Sequence, residues 1–168
     1  MTDECAGTPS ETPSETAGEV AKADTRSGLQ QVADLTDGKY PASPMTQLMP
    51  FTTLPPEKGK VSFRATPDER FLNGMGIVHG GWVMTMLDNA MGLTAHTMVE
   101  AGEYCPSKET TVQFIKPVFA NGEELSFTCT VTSCEDRDVV VESRMETAEG
   151  KLLATGKSTC VIIRPKSE

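Results

Sequence analysis

One long helical pattern lies in the middle of this chain, and the segments that follow it have the two-residue period of β-strands. Between residues 80 and 102 mostly apolar side chains recur at helical spacing, namely Val83, Leu87, Ala90, Met91, Thr94 and Met98. After Pro106, apolar and polar residues alternate in four segments, 110–119, 125–133, 139–147 and 152–164. This order predicts an α+β fold in which one long central helix covers a face of an antiparallel sheet.

Shorter patterns precede the long helix. Residues 28–35 have the apolar spacing of a short amphipathic helix, and residues 60–66 alternate like a half-buried strand. Five prolines within residues 40–56 predict an extended segment without regular helix, because proline lacks a backbone donor and restricts the residue before it. Asn121-Gly122 predicts a hairpin between the strands on either side of it. One helix cannot cover five strands, so we expect association through the remaining apolar surface.

The first part of the chain differs in composition from the rest. Residues 1–26 are rich in Thr, Ser, Pro and Glu and repeat Thr-Pro-Ser-Glu in tandem. Such a segment buries too little apolar surface to offset its ordering entropy, which predicts a disordered acidic tail and one domain over residues 27–168. The net charge is −9, of which −5 lies in residues 1–24 and −4 in the remainder. A mildly acidic domain argues against a nucleic-acid partner.

The cysteines and the apolar segments indicate the cellular compartment in which the protein is expected. The five cysteines are odd in number and form no Cys-x-x-Cys pair, which is typical of reduced thiols and disfavours disulfides or a zinc site. The N-terminus has no basic segment followed by an apolar run, as an export signal would have. The longest apolar stretch, residues 81–101, contains Asp88 and His96, which disfavours a membrane span. We therefore expect a cytoplasmic protein with no metal.

The glycine-rich sequence Asn73-Gly-Met-Gly-Ile-Val-His79-Gly-Gly leads into the long helix. If the helix begins near Gly80, the N–H groups of its first turn lack helical partners and lie at the positive end of the helix dipole. The Gly80 N–H is then suited to polarise a carbonyl oxygen that gains negative charge. Asp88 is an unfavourable residue inside an apolar helix unless it meets solvent, a partner or a substrate. Together they predict a hydrolytic site with Asp88 as base or nucleophile; a plain turn at Gly80 and a solvated Asp88 are the alternatives.

The spacing of Asn73, His79-Gly80-Gly81 and Asp88, with Phe114-Ile-Lys-Pro117 after the helix, resembles the hotdog-fold acyl-CoA thioesterases of the phenylacetate-degradation (PaaI-like) group. The resemblance implies a curved five-stranded antiparallel sheet wrapped around the long helix. It implies hydrolysis of an acyl-CoA or aryl-acyl-CoA to the free acid and CoA, with no cofactor. It also implies a homodimer, often paired into a homotetramer, with Asn73, His79 and Gly80 of one subunit facing Asp88 of the other.

The resemblance implies roles for further residues. Asn73 would hold the attacking water or the carbonyl through its amide, although an Asn before Gly is also a common turn former. His79 would brace the loop and line the site in preference to transferring a proton. Ser107 stands where relatives carry a hydroxyl near the catalytic carboxylate. Gly81 and Trp82 are expected to contact the substrate.

Two other functions stay open from the sequence. One is a non-catalytic acyl-CoA-binding hotdog protein. The other is a hotdog hydratase or dehydratase, which would use a His paired with an acidic residue in a different loop, a motif that the sequence does not show. The phosphates of CoA would need cations near the site, for which the strands and turns offer Lys116, Arg137, Arg144 and Lys157 without a basis for choosing among them. The sequence has no P-loop, nucleophile elbow or dinucleotide fingerprint.

Overall fold

The computed structural model describes residues 24–41 and 43–164. Its helices are α1 (Gly28–Thr36), α2 (Pro44–Leu48) and α3 (Gly80–His96), with a 3₁₀ turn at Glu69–Phe71. Its strands are β1 (Thr52–Thr53), β2 (Lys60–Ala65), β3 (Ser107–Phe114), β4 (Leu125–Glu135), β5 (Asp138–Glu146) and β6 (Leu152–Val161). Residues 1–23 of the predicted tail lie outside the described residues.

The strands form one antiparallel sheet in the order β1-β2-β4-β5-β6-β3, and α3 packs against its inner face. Large side chains from both layers are fully buried between them, including Phe63, Phe127, Met86, Leu87, Met91 and Met145. Gly156 on β6 permits this close approach, because a Cβ there would lie 2.5 Å from Ser143 Oγ and 3.0 Å from Met91 Cε. The predicted hotdog arrangement, a sheet around one long helix, is confirmed, and the short β1 adds a sixth strand to the expected five.

The two edges of the sheet differ in length. At one edge, β1 has 2 residues, whereas β3 at the other edge has 8. β3 pairs with β6 from Ser107 opposite Cys160 to Phe114 opposite Ala154. The backbone groups on the other side of β3 therefore have no strand partner among the described residues.

The strand pairing predicted from Asn121-Gly122 is wrong. The turn is present, with Gly122 at φ 82°, but β3 and β4 are not neighbours in the sheet. After β3 the chain leaves the sheet, where the N–H groups of Ile115 and Lys116 both donate to the carbonyl of Leu153. It then crosses from the edge to β4, between β2 and β5. A turn motif encodes a local reversal of the chain and does not determine which strands become neighbours.

The proline-rich segment contains a helix that the sequence analysis excluded. α2 begins at Pro44, in the first helical position, where the missing N–H has no helical acceptor to lose. Ser43 Oγ accepts a hydrogen bond from the Thr46 N–H at 3.2 Å and caps the helix. Proline therefore determines where this helix starts instead of preventing it.

α1 confirms the first predicted helix and lies at the end of α3 remote from the glycine-rich loop. The Gly28 N–H donates to the Val99 carbonyl at 2.9 Å, just beyond the last turn of α3. His96 in that last turn lies 3.1 Å from Gln31 Oε1 through Nε2, and burial lowers its pKa. No helix within residues 24–41 and 43–164 combines the length and apolar character needed to cross a membrane.

Candidate functional site

The loop before α3 is held by the side chain of Asn73. Its Oδ1 accepts hydrogen bonds from the N–H of Met75 at 2.9 Å and of Ile77 at 3.4 Å, and its own N–H donates to the Ile77 carbonyl at 2.8 Å. The amide oxygen is thus occupied in shaping the loop, as the turn-forming alternative predicts. Only the side-chain NH₂ group of Asn73 is left to donate to a substrate.

His79 is the N-cap of α3. Its Nδ1 accepts a hydrogen bond from the Gly81 N–H at 2.9 Å, and its backbone N–H donates to the Phe71 carbonyl at 2.7 Å. An accepting Nδ1 carries no proton, so a neutral ring bears its proton on Nε2. The imidazole is therefore engaged in fixing the first turn of the helix, and the Gly81 N–H is not free to bind a substrate.

The Gly80 N–H, in contrast, has no acceptor among the described residues. A Cβ at this position would lie 3.3 Å from Cζ and 3.4 Å from Cε1 of Phe114, so the ring of Phe114 faces the glycine. An unpaired N–H at the start of a helix of 17 residues is a donor aligned with the positive end of the helix dipole. This is the geometry that polarises a bound carbonyl oxygen.

Two cavities flank the first turn of α3. One, of about 340 Å³, is lined by Asn73, Gly80, Phe114, Lys116 and neighbouring apolar residues. The other, of about 380 Å³, is lined by Met49, Arg70, Phe71, Leu72, His79, Gly81, Trp82 and Thr85. Of the residues predicted from sequence at this end of α3, Asn73 and Gly80 thus share one cavity, whereas His79, Gly81 and Trp82 line the other.

Trp82 contributes mainly to the core. Its side chain is 4% exposed, and its ring lies 6.2 Å from that of Phe71 and 6.3 Å from that of Phe127, measured between centroids. Only part of the indole reaches the cavity beside His79. A role in substrate binding remains a prediction for both Gly81 and Trp82.

Asp88 lies half-buried two turns further along α3, where two hydroxyl groups hold one of its oxygens. Ser107 Oγ and Thr110 Oγ1 each donate to Asp88 Oδ1 at 3.1 Å. Its Oδ2 accepts no hydrogen bond from the described part of the chain. One carboxylate oxygen is therefore anchored and the other is available to a water or a substrate.

Sequence reasoning placed Ser107 near Asp88 but missed Thr110. Thr110 offered one signal, a hydroxyl group at the start of the predicted strand. The alternation of that strand did not show whether the Thr110 side chain faces the helix or the opposite side of the sheet.

Behind Ser107 and Thr110, Cys160 Sγ lies 3.9 Å from Ser107 Oγ. The neighbouring Cys160 thiol and burial raise the pKa of the Cys105 thiol.

Within one chain, the Gly80 N–H and the Asp88 carboxylate are separated. Eight residues of helix correspond to about 12 Å along the axis, and the two residues point in different directions around it. A single thioester group cannot contact both. The chain thus carries two half-sites: the donor half-site, with Gly80, Asn73 and Lys116, and the carboxylate half-site, with Asp88, Ser107 and Thr110.

Comparisons with known proteins agree with this architecture. The family model of the thioesterase superfamily matches residues 75–154. A candidate esterase of Saccharolobus solfataricus is 30% identical over 115 residues, which are 66% of this chain and 76% of that protein. The chain therefore belongs to the thioesterase superfamily, and this membership supports thioester hydrolysis as its general activity.

Solved structures share the fold at lower identity. The PaaI protein of Escherichia coli, from the phenylacetic acid degradation operon, aligns with a TM-score of 0.70 and 18% identity over 83% of this chain and 96% of that one. The protein smu.793 of Streptococcus mutans UA159, solved bound to acetyl CoA, aligns with a TM-score of 0.63 and 20% identity over 70% and 91%. These likenesses confirm the hotdog fold expected from the sequence.

Proposed function

We propose that this thioesterase hydrolyses acyl-CoA or aryl-acyl-CoA thioesters to the free acid and CoA, at sites formed between the two subunits of a homodimer. One observation carries the proposal: strand β3 connects the two half-sites. Its first residue, Ser107, contacts Asp88, and its last residue, Phe114, faces Gly80. Any contact that aligns two copies of β3 in opposite directions brings unlike half-sites together.

The edge of the sheet at β3 is suited to such pairing. An unpaired edge strand presents a row of backbone donors and acceptors to another strand. One side of the 8-residue β3 has no strand partner within residues 24–41 and 43–164. Phe114 and Ile115 at its end are 56% and 45% exposed. The opposite edge ends in the 2-residue β1 and offers no comparable surface.

Pairing about a twofold axis near the middle of β3 places Ser107 of each subunit opposite the Phe114 end of the other. The strand is about 24 Å long at the usual rise per residue, so its ends are well separated within one chain. Across the axis, the carboxylate half-site of one subunit lies beside the donor half-site of the partner subunit. Two identical sites result, as twofold symmetry requires.

The chemistry follows from the two halves. The Gly80 N–H donates to the thioester carbonyl oxygen and stabilises the negative charge that develops there. The free Oδ2 of the partner subunit's Asp88 either removes a proton from the attacking water or attacks the carbonyl carbon itself to form an anhydride, which water then opens. In both routes the C–S bond breaks, CoA leaves as a thiolate and the acid is released.

The donor half-site also supports CoA as the carrier of the acyl group. Of the four candidate cations, Arg144 pairs with Glu146 and Lys157 with Glu142. Lys116 and Arg137 have no carboxylate partner among the described residues, and of these two Lys116 lines the cavity of Gly80. An unpaired cation at the mouth of the cavity is suited to bind phosphate. The structural neighbour smu.793 was solved bound to acetyl CoA.

A thiol-release assay over short-chain, long-chain and aryl-CoA thioesters tests the proposal. We expect hydrolysis of at least one class by the wild-type chain and loss of that activity in Asp88→Asn, which keeps the size of the side chain but removes its basicity. Binding of acyl-CoA without release of thiol would instead identify a non-catalytic binding protein. Formation of a hydroxyacyl product from an enoyl-CoA would identify a hydratase.

A further inference from the structure

Two hydroxyl groups on one strand reach the same oxygen of Asp88, although their spacing should forbid it. Ser107 and Thr110 are 3 residues apart on β3. Side chains of a regular strand alternate between its faces, so residues an odd number apart point to opposite sides. One of the two hydroxyls would then face away from α3.

An irregularity in β3 removes this conflict. Ser107 is opposite Cys160 and Glu109 is opposite Thr159, so the pairing with β6 shifts between them and Lys108 is an extra residue. A β-bulge of this kind places two residues of one strand opposite one residue of the other and re-aims the side chains beside it. Both Ser107 and Thr110 consequently face α3.

A third hydroxyl supports Thr110 from behind. Ser158 on β6 is fully buried, and its Oγ lies 3.0 Å from Thr110 Oγ1 and 3.1 Å from the Glu109 carbonyl oxygen. Thr110 has a single hydroxyl proton, which an ionised carboxylate attracts more strongly than a neutral hydroxyl does. That proton therefore goes to Asp88, and the single proton of Ser158 is shared between the Glu109 carbonyl oxygen and Thr110 Oγ1, both within its reach.

We propose that Thr110 is a second positioning residue for Asp88 in the thioester hydrolysis proposed above, and that the bulge at Lys108 is the feature that brings it into place. With one donor, the carboxylate can pivot about the hydrogen bond. With two donors on Oδ1, its plane is fixed and Oδ2 is always the oxygen presented to the substrate. The inference rests on the proposed function, because Thr110 acts only through Asp88.

The test compares Thr110→Val, Thr110→Ser and the control Thr155→Val in the thiol-release assay. Valine has nearly the shape of threonine but lacks the donor. A catalytic group that is held loosely spends less time in the reactive geometry, so we expect kcat to fall about tenfold to a hundredfold in Thr110→Val. We expect KM to stay unchanged, since Thr110 does not touch the substrate. Thr110→Ser should restore most of kcat, and Thr155→Val, on the outer face of β6, should match the wild type.

A double variant sharpens the test. If the two hydroxyls share one task, Ser107→Ala together with Thr110→Val should lower kcat by more than the product of the two separate reductions, because each single variant keeps one anchor. Should valine prevent folding, Thr110→Ala removes the same donor without adding bulk, and thermal melting identifies which variants are folded.

The outcomes separate this inference from the function on which it rests. Normal kcat in folded Thr110→Val or Thr110→Ala, beside an inactive Asp88→Asn, overturns the role of Thr110 and leaves the thioesterase proposal standing. An equal loss in Thr110→Ser and Thr110→Val also overturns it, since the hydroxyl would then be irrelevant. A wild-type chain that releases no thiol from any thioester overturns both.

Discussion

The donor half-site and the carboxylate half-site are built in different ways. The first depends on main-chain geometry: a Gly80 N–H without an acceptor in the described part of the chain, a loop closed by Asn73 and a helix start capped by His79. The second depends on side chains: a carboxylate held by hydroxyls from a paired strand. The donor half should therefore tolerate changes at Asn73 and His79 that keep its backbone shape, provided that position 80 stays a glycine. The carboxylate half should not tolerate loss of a functional group.

The largest effect is expected at the carboxylate half. Asp88→Asn removes the only proposed base or nucleophile, and groups of this kind contribute about 10²–10⁴-fold to rate. We expect kcat/KM for the best acyl-CoA substrate to fall by that order with thermal stability retained. A variant of normal activity would show that the carboxylate half-site is a structural feature, and the contrast between the halves would disappear.

The donor half should respond to a single added methyl group. In Gly80→Ala the new Cβ would lie 3.3 Å from Phe114 Cζ, in the cavity through which the carbonyl must approach. The N–H is kept, but the methyl group holds the carbonyl away from it, so we expect kcat to fall by up to the 10²–10³-fold that one oxyanion donor contributes. Gly92→Ala on the same helix is the matched control, because its Cβ would meet no atom within 4 Å. Equal behaviour of the two variants would remove Gly80 from the site.

A smaller effect should distinguish binding of the carrier from catalysis. Lys116→Ala removes an exposed cation, whose contacts are worth little in water, so we expect KM for acyl-CoA to rise about two- to fivefold with kcat unchanged. The increase should be absent with an acyl-pantetheine thioester, which lacks the nucleotide phosphates, and should shrink as salt is added. Lys58→Ala, at the far end of α3, serves as the control. A similar KM increase with both substrates would argue against a phosphate contact.

The smallest effect is expected from the cap of α3. His79→Ala should lose about 1 kcal/mol of stability through its missing N-cap, which corresponds to a Tm lower by roughly 2–4 °C for a chain of this size. His79→Asn supplies a new cap oxygen and should keep both stability and most of the activity. If His79→Asn instead is inactive and stable, the imidazole takes part in the chemistry.

The features that the sequence predicted correctly are those with a strong local period or a family motif. The long helix, the antiparallel strands after it and the hotdog arrangement follow from apolar spacing and from the pattern Asn73, His79-Gly80-Gly81 and Asp88. The proximity of Ser107 to Asp88 was also anticipated. The helix and the strands follow from spacing within one element, whereas the hotdog arrangement and the Ser107–Asp88 contact were implied by the resemblance to the PaaI-like group.

What the sequence did not predict depends on pairing between distant strands. Asn121-Gly122 marks a turn, but the strands around it join different neighbours. β3 pairs with β6, whose residues lie 40 to 53 positions further along the chain. Thr110 joins the site only because the register between β3 and β6 shifts at Lys108. Nor did proline content reveal α2, since the effect of Pro44 depends on the helical position that it occupies. Long-range register is set by packing of the whole sheet, which no local pattern encodes.

Complementation between two inactive variants tests most directly whether the half-sites act across subunits. Gly80→Ala and Asp88→Asn chains are each unfolded, mixed in equal amounts and refolded together, with each variant refolded alone as the control. In a mixed twofold dimer one site has both wild-type halves and the other has neither, so random assortment should restore about a quarter of wild-type activity. Activity no higher than that of the separately refolded parents would contradict a shared site and would place catalysis within a single subunit.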